Sequence, residues 1–217
     1  MKICQECGTP CADDTVYCYV CGTKFHMHIS KIDRGFVSEY LVTDADNMEA
    51  VLKEPVILIT DKDINDIYCI LPLLEESAKN GRQLLIIANS YGEEVINTLV
   101  VNKLRGILAC AAVKAPGFGD SRKEILKDIA ILTGGQVISS DYGFELKDAT
   151  ISICRQAKTA RITKEETIIT GGFGEEMSIA ERVSQLKKLI PITQSDWDRE
   201  RIQNRLINLF GISMSEM

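Results

Sequence analysis

The sequence predicts an α/β domain preceded by a small cysteine-rich unit. Three observations carry this prediction. Four short aliphatic runs alternate with segments of helical period between residues 55 and 139, the tail from about 175 to 209 reads as two charged amphipathic helices, and five of the eight cysteines fall in the first 21 residues. At 217 residues, with 45% hydrophobic and 26% charged side chains, the chain has an ordinary globular composition and enough length to bury a core. The division expected is residues 1–28 and 29–217.

In the first unit, "CQECG" (4 to 8) and "CYVCG" (18 to 22) make two Cys-x2-Cys pairs ten residues apart. Each short spacing lets two thiolates converge on one ion, and the glycine after each pair permits the tight turn that aims backbone amides at sulfur. Cys4, Cys7, Cys18 and Cys21 are therefore expected to hold a structural zinc. Four ligands close a tetrahedral site with no position for a reacting water, and the metal supplies folding energy that so short a segment lacks. With the set complete, Cys11, His26 and His28 read as loop and linker residues. The segment resembles a short zinc ribbon. Ribbons often bind nucleic acid, but here Lys2 and Lys24 are outnumbered by Glu6, Asp13 and Asp14, and the whole chain carries a net charge of −6, so nucleic acid is not an expected partner.

The larger unit alternates strand and helix signals. "PVILIT" (55 to 60), "QLLIIA" (83 to 88), "GILACAAV" (106 to 113) and "GQVIS" (135 to 139) are continuous and aliphatic, the mark of strands buried on both faces and mostly paired in parallel. The first intervening helix starts from a candidate Asp63 cap, carries Pro72 where a first turn can begin, and stops at Gly81. The second, "GEEVINTLVVNKLRG", opens with glutamates at the positive end of its dipole and closes with Lys103 and Arg105. The third, "DSRKEILKDIAILTGG", has Asp120 as its candidate cap and ends in two glycines. Cys69, Cys110 and Cys154 fall in apolar or helical surroundings and read as core thiols. No apolar run approaches the roughly 20 residues of a membrane span, and the start "MKICQECG" has no signal-peptide character, so a cytoplasmic protein is expected, with no membrane partner.

Two local features bear on function. "GFGDSRK" (117 to 123) follows a strand and opens a helix, as phosphate loops do, but Arg122 stands where a dinucleotide fingerprint needs its third glycine and no GK[ST] ending follows. The second helix is more telling. At 100° per residue, Val95, Ile96, Leu99, Val100, Val101 and Leu104 cover an arc of about 240°, where a surface helix needs little more than about 100° for the core. Part of this helix has apolar surface to spare, and exposed apolar grooves mark binding sites.

"DRGFVSEYL" (33 to 41), "LLIIANSYGEEVINTLVVNKLRGI" (84 to 107), "AAVKAPGFGDSRKEILKDIAILTGGQVIS" (111 to 139), "QAK" (156 to 158) and "SDWDRERIQNRL" (195 to 206) closely resemble the apical domain of the bacterial-type GroEL chaperonin family, over residues 31 to 211. The resemblance implies an apical-domain fold whose groove, between two helices and an adjacent extended segment, binds non-native polypeptides and the mobile loop of a co-chaperonin. The matching positions are Phe36, Tyr40 and Leu41 on the segment, Leu71 and Leu74 on the first helix, and Ile96, Val100 and Val101 on the second. Glu39 replaces a proline usual in the family, and Leu41 an aromatic. The family's ATP pocket and catalytic aspartate lie in domains to which no part of this sequence corresponds, so "GFGDSRK" is expected to be scaffold. The expectation is therefore capture of hydrophobic segments without an ATP cycle, with a co-chaperonin or full-length chaperonin as further candidate partners. The alternative is an adaptor whose ribbon binds a dedicated partner while the apical fold is reused as scaffold. Enzyme activity is not expected: no nucleophile and base constellation is legible, and both histidines lie beside the ribbon.

Overall fold

Aliphatic runs without polar interruption have no hydrated face to offer, so they pair in the middle of a covered sheet. The computed structural model describes residues 2–3, 9–11, 20 and 29–210. Its strands are β1 (Lys2–Ile3), β2 (Pro10–Cys11), β3 (Ile29–Ile32), β4 (Ala50–Lys53), β5 (Val56–Thr60), β6 (Asp63–Ile64), β7 (Leu84–Ala88), β8 (Ser90–Tyr91), β9 (Cys110–Lys114), β10 (Val137–Ile138), β11 (Ala157–Ile162) and β12 (Thr167–Gly172). Its helices are α1 (Leu71–Lys79), α2 (Glu93–Leu104), α3 (Gly119–Thr133), α4 (Ile151–Cys154), α5 (Glu176–Leu189) and α6 (Asp196–Phe210).

The four aliphatic runs form one parallel sheet in the order β10-β5-β7-β9, with Val56 opposite Leu84 and Leu84 opposite Cys110. Every residue of β5 and β7 is buried. A second sheet, β3-β12-β11-β4, is antiparallel throughout, so the parallel pairing expected of the aliphatic runs holds for their sheet and not for this one. Its strands bury only part of their residues. β11 hides Ala157, Ala160 and Ile162 but exposes Arg161, so no aliphatic run announces it.

Alternation along the parallel strands divides the core in two. Leu58, Leu84, Ile86, Cys110 and Ala112 face Leu73 and Leu74 of α1 and Val95 and Leu99 of α2. Their neighbours Ile57, Ile59, Leu85, Ile87 and Val113 face Ala50, Leu52, Ala160 and Ile162 of the antiparallel sheet and Leu126 and Ile129 of α3. A third, smaller cluster joins Leu132 of α3 to Ile179, Val183 and Leu186 of α5 and Leu209 of α6.

Both expected aspartate caps are replaced. Asp63 lies in β6, where its carboxylate accepts from the Asn89 amide and the Ser90 hydroxyl. Asp66 takes the capping role, accepting the Tyr68 N–H at 2.9 Å to start a 3-10 turn over Ile67–Cys69 that leads into α1, with Pro72 in its first turn. Asp120 lies inside the first turn of α3, and Phe118 occupies the position before the helix. The turn before α3 closes on itself: Gly117 adopts φ +71°, a left-handed conformation that glycine takes without strain, and the Arg122 guanidinium donates twice to its carbonyl, at 3.1 and 2.9 Å. At the other end Gly134 adopts φ +74°, and a Cβ there would lie 2.8 Å from the Phe173 carbonyl oxygen.

Candidate functional site

α1 and α2 cover the same face of the parallel sheet, and their placement is fixed at the strand ends. The Gly92 N–H donates to the Ile64 carbonyl at 2.9 Å, setting the start of α2. Just before it, the buried Tyr91 hydroxyl lies within hydrogen-bond distance of the Ile86 and Val113 carbonyls, at 2.8 and 2.9 Å, so it spans β7 and β9. Burial pushes the Tyr91 phenol well above its ordinary range, which keeps it a neutral donor.

Between the helices runs a cleft of about 290 Å3. Its floor is Leu74, Leu99 and Leu108, at 7%, 1% and 4% exposure. Tyr68, Leu71 and Ala78 line it from the α1 side, and Thr98, Asn102 and Ile107 from the α2 side. Glu75 is the charged group on its lining. The cleft has an apolar floor because the sheet beneath is apolar, and an apolar rim because Tyr68 and Ile107 remain 73% and 53% exposed.

The structure distributes the eight expected groove residues over different depths. Leu71 and Leu74 line the cleft. Ile96 and Val100 are half-buried, Val100 packing against the core under α2. Val101 is 43% exposed and lines a larger, more polar depression of about 690 Å3 along α2, with Glu93, Glu94, Asn97 and Arg105. Tyr40 is 69% exposed on a 3-10 turn, Glu39–Leu41, that contacts α2 and is tied to it by Lys103, whose ammonium donates to the Val42 carbonyl at 2.6 Å. Phe36 is half-buried against the core between the sheets, its backbone bridged to Val113. Leu41 departs from expectation: it is fully buried in the core beneath the helices and has no surface to present. Leu74 is likewise more floor than wall.

Tyr68, Thr98, Asn102 and Ile107 are cleft residues that the sequence does not announce. Tyr68 stands on the 3-10 turn, in a stretch that the sequence places within the first helix, and Ile107 follows Gly106, outside the second helix's period.

Two thiols are buried in the core beneath the helices. Burial pushes the Cys110 and Cys154 thiols up to about 12, so both stay protonated and unreactive. Cys4, Cys7, Cys18 and Cys21 lie outside the described residues, as do His26 and His28. Among the described residues no group of three or more histidine, cysteine, aspartate or glutamate side chains is placed to hold a metal ion, and no helix is long and apolar enough to cross a membrane. No protein-family model matches the chain.

Proposed function

We propose that the larger unit is a chaperonin-apical-like domain that captures hydrophobic segments of non-native polypeptides at the α1–α2 cleft, without an ATP cycle. The observation that carries this reading is the apolar surface left uncovered beside a buried apolar floor: Tyr68 and Ile107 on the cleft lining are 73% and 53% exposed, and Val101 and Leu104 elsewhere on α2 are 43% and 64% exposed. The GroEL-family resemblance falls on the same two helices. A captured segment gains free energy by covering this surface, at roughly 25 cal/mol per Å2, offset by the ordering of the segment, so binding is weak and promiscuous. Cys4, Cys7, Cys18 and Cys21 hold a structural zinc in the unit before it. The antiparallel pairing of Lys2 with Cys11 and Ile3 with Pro10 supports this reading, because it brings together the chain on either side of the first Cys-x2-Cys pair in sequence. The protein works in the cytoplasm, and "GFGDSRK" is scaffold, in keeping with the Arg122 side chain folding back on Gly117.

The test is suppression of aggregation of a chemically denatured client by the wild type and by Tyr68→Ala and Ile107→Ser. Loss of an exposed anchor is expected to weaken protection about tenfold, equivalent to about 1.4 kcal/mol, with the melting temperature nearly unmoved. Undiminished protection by both variants would overturn the reading. Calorimetry is expected to detect no ATP binding.

A further inference from the structure

On the far side of the molecule α5 and α6 pack on α3 with modest apolar support. Among the described residues their shared cluster has five buried residues, against nineteen and eighteen in the two cores that hold the sheets. The α6 seam is also loosely filled. A cavity of about 210 Å3, lined by Ser121, Ile125, Asn204 and Asn208 among others, separates α6 from α3 and β3. A more open cleft of about 480 Å3 follows its other flank, past Phe118, Thr193 and Ile202.

What crosses this seam is a quartet of charges. Arg182 of α5 donates from Nε to Asp128 of α3 at 2.7 Å and from Nη2 to Glu124 at 2.5 Å. Arg205 of α6 donates from Nε to the other Asp128 oxygen at 2.6 Å and from Nη2 to Glu124 at 3.1 Å. The Arg182, Asp128 and Arg205 side chains are only 7%, 8% and 13% exposed, and Glu124 43%. We propose that this quartet is an acid-released clasp: it holds the α5–α6 hairpin on α3 at neutral pH and lets the hairpin leave as a unit, ahead of the sheets, as the pH falls.

The argument rests on which charges can be removed. Guanidinium groups keep their charge at any pH a protein meets, whereas carboxylates do not. Protonating Glu124 and Asp128 therefore leaves two buried cations facing each other with no counter-charge, a far worse state than a solvated pair. The Arg161–Glu49 pair of the antiparallel sheet differs, because Arg161 is 58% exposed and falls back on water when Glu49 is protonated. Burial alone would raise the Glu124 carboxyl, but Arg182 and Arg205 outweigh it and hold Glu124 below its ordinary value. Its contribution is thus fully present above the ordinary carboxylate range and lost as pH falls through the depressed folded value.

The other groups facing the seam cannot replace it. Gln185 of α5, neutral, accepts from Arg182 at 3.2 Å. On α6, Arg201 pairs with Asp198 at 3.3 Å and stacks on Trp197. Lys31 of β3 pairs with Glu166 at 2.7 Å, and Asp33 and Asp120 are exposed at the rims of the two cavities.

Trp197, the only tryptophan, makes the test direct: it lies on α6 with the Arg201 guanidinium 4.5 Å from its ring centroid. Its fluorescence anisotropy is followed in the full chain between pH 8 and 3, alongside hydrogen exchange of β5 and β7 peptides corrected for the intrinsic pH dependence. The Trp197 signal is expected to fall about half a pH unit or more before the sheet loses protection. Glu124→Gln is expected to move the Trp197 midpoint upward by a similar amount and leave the sheet midpoint in place. Arg205→Lys, which keeps the charge but loses the fork, is expected to act in the same direction. A single transition shared by both signals, or a Trp197 midpoint that neither variant moves, overturns the proposal.

Discussion

The two helical faces of this molecule are held in opposite ways. α1 and α2 sit on the parallel sheet chiefly through aliphatic contact, and they carry more apolar surface than that sheet can cover. α5 and α6 sit on α3 through a charged quartet backed by a small apolar cluster. Apolar contact is non-directional, so a helix held by it can leave part of its surface open to something else. An ion pair out of water tolerates neither a lost partner nor a poor angle, so the face it holds stays closed for as long as both of its carboxylates keep their charge.

The largest effect expected from breaking this contrast is at Asp128. Replacing it with Asn leaves Arg182 and Arg205 without their main counter-charge, and the loss is about 3–5 kcal/mol, read by urea denaturation with Trp197 as the probe. Leu74→Ser comes next on the opposite face. The side chain is 7% exposed in the core, so the change opens a cavity and buries a hydroxyl, at about 2–5 kcal/mol by thermal melting. Val101→Ser, one helix away and 43% exposed, should stay within about 0.5 kcal/mol of wild type while weakening client protection. The smallest effect is expected from adding a metal chelator: the larger unit, with cores of its own, should keep its melting temperature, while, if the proposed zinc site is present, Cys4, Cys7, Cys18 and Cys21 become reactive to a thiol reagent at pH 8 and Cys110 and Cys154 do not. A Leu74 variant as stable as the Val101 variant would break the distinction between buried floor and exposed helix surface on which the contrast depends.

Much of the parallel layer was legible in the sequence, because strands buried on both faces advertise themselves as unbroken aliphatic runs. β3, β4, β11 and β12 do not, since small and charged residues such as Ala160 and Arg161 alternate there with only a few large apolar ones. The site was legible in outline only. Helical periodicity reports how much of α2 is apolar but not which way the sheet lies, so it could not sort the exposed Val101 from the buried Leu99. Nor could pattern find Leu41 in the core, because a three-residue turn has no period to read. The clasp escaped for a related reason: Asp128 and Arg205 are 77 residues apart, and charges on amphipathic helices ordinarily face solvent.

The alternation of β5 and β7 has one more consequence. Ile86 and Ile87 are neighbours along the chain, yet the first belongs to the layer under α1 and α2 and the second to the layer against the antiparallel sheet. The strand is a party wall between two tenants. A change of side-chain volume at one position is felt on one side only, so selection can reshape the floor of the cleft residue by residue without disturbing the opposite layer. An insertion or deletion of a single residue in either strand has no such privacy, because it exchanges every side chain between the two layers at once.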